Sequence, residues 1–111
     1  MASSKKQLFE ASRTIGEERI TRELETVMDP ELHLSLVDLG LIYDIVTYKT
    51  SKVHIRMTLT TMGCPLFPII EQDIQNAMYR IGIKETTIEL TFDPPWSMER
   101  LTERGRAMLG I

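Results

Sequence analysis

Along residues 53–59 apolar and polar side chains alternate: Val53, Ile55, Met57 and Leu59 are separated by His54, Arg56 and Thr58. This two-residue period is that of a half-buried strand. Beyond Pro65 the period lengthens. Ile70, Ile74, Ala77 and Ile81 recur at helical spacing, predicting a helix from about Pro65 to Ile81. Pro65 suits its first turn, where no N–H is missed, and Gly82 stops it. Ile20, Leu24, Val27 and Met28 form an earlier apolar stripe over Glu17–Met28, bounded by Asp29 and Pro30. The run LIYDIVTY predicts another strand, joined through KTSK to VHIRMTL as an antiparallel hairpin, with DPELHLSLVDLG before it as a loop. Ile88, Leu90 and Phe92 alternate with Glu89 and Thr91 in a third strand. After the stiff turn DPPWS, Ser97 can cap a last helix with Met98, Leu101, Gly105 and Met108 on one side and Gly110 past its end. The order α-β-β-α-β-α implies an α+β fold of two layers, with helices packed on one face of a small three-stranded mixed sheet.

Composition narrows the classes. A chain of 111 residues, 42% hydrophobic and 26% charged, suits one domain with a modest core. Residues 1–16, rich in Ser and Lys, are expected to be a flexible tail, and residues 17–111 the domain. Thirteen basic against sixteen acidic residues give a net charge of -3, which is not the basic footprint of a nucleic-acid binder. One cysteine forms no internal disulfide, no apolar run reaches membrane-spanning length, and the start lacks a signal peptide's apolar core. These features point to a reducing cytoplasm, with neither nucleic acid nor membrane as partner.

The topology gathers candidate chemistry at one place. The start of the first strand should lie beside the end of the second, bringing Asp38 and Gly40 near Thr60 and Thr61. A helical crossover returns the third strand parallel to the second, so Asp93, Pro94, Pro95 and Trp96 reach the same edge. Asp29 and Glu31, after the first helix, lead into the Asp38 loop. Cys64 lies at the centre of this edge, at or next to a helix N-terminus, where free N–H groups and the helix dipole favour a thiolate nucleophile or metal ligand. A free cysteine also behaves commonly as a small buried hydrophobe.

Other residues carry plain readings beside chemical ones. Asp29, Asp38 and Asp93 suit turn or capping roles, and this reading leads for Asp29. Thr60 and Thr61 fit an extended strand end or line the approach to Cys64. His33 is the one plausible base for a thiol enzyme, His54 belongs to the open face of the sheet, and Trp96 is a core or lid residue. Met57, Met78, Met98 and Met108 read as packing. A bound cation would reconcile a thiolate with nearby carboxylates, but an iron-sulfur cluster needs several sulfurs, so a site built on Cys64 must borrow ligands.

Three ordered blocks carry a family resemblance: DPELHLSLVDLGLIYD from Asp29 to Asp44, MTLTTMGCP from Met57 to Pro65, and FDPPWS from Phe92 to Ser97. Together they resemble the small iron-sulfur assembly family that includes SufT-like and PaaD-like proteins, from about Ile20 to the C-terminus. The resemblance implies a compact α+β domain and a non-enzymatic, accessory role in maturing iron-sulfur proteins. Cys64 matches the family's motif cysteine, and Asp29, Glu31, Asp38, Thr60 and Thr61 match its other polar positions. The expected cargo is a transient iron-sulfur cluster or iron contacted by Cys64, with Trp96 covering the site. Expected partners are iron-sulfur assembly proteins and client apoproteins. A homodimer would bring two cysteines, although no sequence feature requires their approach. The competing expectation is a metal-free adaptor, including a PaaD-like support of a multicomponent oxygenase.

Overall fold

The computed structural model describes residues 16–48 and 51–111. All but Gly16 of the expected tail, and Lys49 and Thr50 of the hairpin link, lie outside the described residues. Helix α1 spans Glu17–Leu24, strands β1 and β2 span Ile42–Tyr48 and Lys52–Met57, and helix α2 spans Phe67–Arg80. Strand β3 covers Glu85–Leu90, and a short 3-10 turn at Met98–Arg100 precedes helix α3 at Glu103–Leu109. The sheet order is β1-β2-β3, with β1 antiparallel and β3 parallel to β2. The expected α+β architecture with a mixed three-stranded sheet is the one observed.

Alternation along the strands sorts the sheet into two faces. Val53, Ile55 and Met57 are buried beneath Ile20 and Leu24 of α1 and Ile70, Ile74, Ala77 and Met78 of α2, forming the core. The other face holds paired polar side chains. Arg56 bonds Asp44, His54 bonds Thr87 and Glu89, and Lys52 pairs with Glu85. His54 thus lies on the open face, as its position in the alternation predicts.

Boundaries differ from the sequence pattern in three places. First, α1 ends at Leu24 rather than Met28. Thr26 bonds the Glu23 carbonyl, and Met28 leaves the helix to bridge Ser35 in antiparallel fashion, leaving its side chain exposed. Second, α2 begins two residues after Pro65, and Pro68 occupies its first turn. Third, the last helix is split. Leu101 is extended between the 3-10 turn and α3, and Thr102, not Ser97, supplies the capping hydroxyl by accepting the Gly105 N–H. Met98 and Met108 are therefore exposed, whereas Met57 and Met78 are buried as expected.

Residues 32–41 contribute far more to the core than a connecting loop would. Leu34, Leu36, Leu39 and Leu41 are all buried. Their backbone groups are satisfied by a closed turn network: Leu36 N–H donates to Val27, Asp29 to Leu34, Leu39 to Ser35 and Leu41 to Leu36. Burying this much apolar surface without regular structure requires such pairing, because each unmet backbone group would cost about 1–3 kcal/mol.

Candidate functional site

At one end of the sheet three chain segments lie side by side. The Thr58 N–H donates to Leu41 at 2.9 Å, and the Thr91 N–H donates to Met57 at 2.8 Å. The segments leaving these residues, 38–41, 58–64 and 91–96, therefore share the edge deduced from strand directions. Trp96 closes it from the C-terminal side, its Nε1 donating to the Leu39 carbonyl at 2.6 Å. Tyr43 Oη donates to Pro94 at 2.7 Å, and the Arg100 guanidinium stacks 4.4 Å from the Tyr43 ring centroid. Residues 91–101 thus form a strap bound across the sheet end. Gly40, at φ 74°, lets it approach: a Cβ there would run into the Arg100 carbonyl.

Asp38 fastens the strap to the loop. It is 5% exposed, and its own N–H donates to Ser35 Oγ at 2.9 Å. Its Oδ1 accepts from Thr102 Oγ1 at 2.8 Å, and its Oδ2 accepts from Arg104 Nε at 2.9 Å. Arg104 also reaches Glu25 at 2.9 Å, joining the end of α1 to α3. Burial alone would raise the Asp38 carboxyl. Hydrogen bonds from Arg104 and Thr102, with the Arg104 charge, outweigh that effect and hold it below the ordinary carboxylate value. Both oxygens are thus engaged within the protein.

Asp29 has an equally local occupation. It is 7% exposed, and its Oδ1 accepts from the Glu31 and Leu32 N–H groups at 2.8 and 2.9 Å. This closes a side-chain turn ahead of His33, whose φ is 57°. Glu31 itself is exposed.

The segment around the thiol is more open. Thr60 is half-buried, Thr61, Met62 and Gly63 are exposed, and Cys64 is half-buried against the core. Cys64 stands two residues before Leu66, the N-cap of α2. Its carbonyl accepts the Phe67 N–H at 3.3 Å, so one of the first helical donors is directed at its backbone. Phe67, Phe92 and Trp96 flank the same part of the core.

Two features lay beyond the sequence reading. Nothing local marks Arg104 and Thr102 as partners of a residue more than sixty positions upstream. Thr58, a polar position in the alternation of residues 53–59, is wholly buried with no hydrogen-bond partner for its Oγ1 among the described residues. Among the described residues no group of three or more His, Cys, Asp or Glu is placed to hold a metal ion, and no helix is long and apolar enough to cross a membrane.

Comparison with known proteins gives this edge its context. The chain is 40% identical over 95 residues to the Fe-S protein maturation auxiliary factor YitW of Bacillus subtilis, covering 85% of this chain and 93% of that protein. It is 33% identical over 86 residues to the Fe-S protein maturation auxiliary factor SufT of Staphylococcus aureus, covering 77% and 98% respectively. The crystal structure of a domain of unknown function from Bacillus anthracis superposes with a TM-score of 0.80 at 34% identity, covering 86% of this chain and 92% of that one. Residues 17–90, from α1 through β3, match the model of the iron-sulfur cluster assembly protein family, and the chain belongs to that family.

Proposed function

We propose that this chain is an accessory factor in iron-sulfur protein maturation, assisting transfer of iron or a cluster to client apoproteins in the cytoplasm through the edge that carries Cys64. The observation that supports this most is the contrast at that edge: the aspartates are occupied, while Thr60–Cys64 presents a thiol and hydroxyls on a partly open loop. Cys64 would contact the iron, the cluster or a partner's sulfur during transfer. Thr60 and Thr61 would line its approach, Glu31 would offer an exposed carboxylate beside the loop, and Trp96 would wall the edge. Asp29 and Asp38 would act by shaping the loop. The chain's single cysteine cannot complete a cluster's coordination, so the cargo's remaining ligands would come from an assembly partner or client.

The same donor set also favours a second reading, a metal-free adaptor that presents this edge to a client or an assembly partner, including support of an oxygenase in the PaaD-like manner. One experiment separates the two. Wild type and Cys64→Ser are purified without oxygen from iron-replete cells, and visible absorption, iron and acid-labile sulfide are measured beside client maturation in the corresponding strains. Transfer predicts cysteine-dependent iron and sulfide, with maturation lost in the variant. Colourless wild type with full maturation in Cys64→Ser would leave the adaptor.

A further inference from the structure

Among the described residues the helix layer stops short of the sheet's first edge. Ile45 pairs with Ile55 across the hairpin and shares its face, yet Ile55 is wholly buried and Ile45 only half-buried. Val37 and Ile42 are half-buried too, packed against the core without being enclosed. Between these side chains and the start of α1 lies a cavity of about 180 Å³, bordered by Glu17, Thr21 and Asp44.

We propose that this groove is the seat of the chain's own N-terminal segment, residues 7–15, with the Phe9 ring filling the cavity. Position favours this occupant first. The segment joins α1 at Gly16, and Glu17, the first helical residue, itself lines the cavity. Seven residues separate Phe9 from Glu17, a reach of up to about 25 Å when extended, against the single helical turn from Glu17 to Thr21. A tether this short gives an effective concentration in the millimolar range, which a free copy or partner does not match. Size agrees. An apolar cavity of about 150 Å³ accepts a benzene ring, and Phe9 is the one Phe, Tyr or Trp before Tyr43, with Leu8 and Ile15 as further apolar groups. Charge agrees as well: Lys5, Lys6 and Arg13 outnumber Glu10 in residues 1–15, whereas the rest of the chain has more acidic than basic residues. Asp44 at the rim is already bonded by Arg56, so Glu17 carries most of the attraction. Seated there, the segment extends the helix layer over β1 and braces Tyr43, which holds the strap through Pro94.

The test uses the full chain. Nuclear Overhauser contacts are expected from the Phe9 ring protons to the methyl groups of Val37, Ile42 and Ile45. A mixture of isotope-labelled and unlabelled chains separates contacts within one copy from those between copies. Phe9→Ala should lower the folding equilibrium constant about tenfold, read from urea unfolding, and less than about threefold when Ile45→Ala is already present. Ile69→Ala, on the exposed side of α2, should leave the Phe9→Ala loss as it is. Contacts from Phe9 to Met28 or Met108, which border a second cavity at the far end of α1, overturn the proposal. So do contacts made only between copies, additive losses in Phe9→Ala and Ile45→Ala, or no contacts at all, which would leave the groove to another protein. None of these failures touches the maturation reading, which stands or falls on client maturation in Cys64→Ser.

Discussion

The loop from Val27 to Leu41 and the segment from Thr60 to Leu66 border the same end of the sheet, yet they use their side chains in opposite ways. The first buries four leucines and ties down both of its aspartates, Asp29 to backbone N–H groups and Asp38 to Thr102 and Arg104. The second exposes Thr61, Met62, Gly63 and Pro65 and packs Cys64 against the core. A polar side chain in a motif therefore serves architecture when the structure saturates it, and remains free for recognition when it does not.

The contrast is tested most severely at a leucine. Leu36→Ala should destabilise the protein by about 2–5 kcal/mol, the usual cost of a cavity in a packed core. Urea unfolding measures it, and a loss below about 1 kcal/mol would show the 27–41 loop to be loosely seated.

Asp38 should come next. Removing its carboxylate leaves Thr102 and Arg104 without their acceptor, and because Arg104 is more than half exposed the expected cost is about 1–3 kcal/mol. The pH dependence has a definite sign. A carboxyl held below its ordinary 3.8 stabilises the fold fully above that value and loses its contribution as pH falls through the lowered one. Melting temperatures below about pH 4 should fall more steeply for wild type than for Asp38→Asn, and parallel curves would remove the latch from the account.

The smallest effect belongs to the exposed segment. Thr61→Ala should change stability by no more than about 0.5 kcal/mol, measured by the same unfolding curves. A loss comparable to that of Asp38 would mean that the two regions share one network.

Most of the regular structure was legible because it rests on periodicity, which the core-facing residues of β2 and α2 display without interruption. The site edge was legible too, since strand direction and crossover rules bring three loops together whatever their side chains do. Legibility failed where the physics is non-local. Leu34, Leu36, Leu39 and Leu41 fit no single period and so resemble a connecting loop, although four leucines in eight residues are a signal of burial. The divided C-terminal helix was hidden because Met98, Leu101, Gly105 and Met108 imitate one continuous stripe. Nothing near Thr102 or Arg104 says that their partner is Asp38, since the attraction is decided by the folded path.

The strap also carries a consequence for biosynthesis. The N-terminal portion leaves the ribosome first, and Trp96, Thr102 and Arg104 are made well after the loop they close. Until they emerge, a nascent chain that has already packed its leucines around Asp38 carries a desolvated carboxylate without its cation, and the edge beside Cys64 lacks its wall. Completion of the domain therefore waits for residues 96–104 to emerge, which makes the partly made chain, rather than the folded one, the form whose thiol loop is most open to its surroundings.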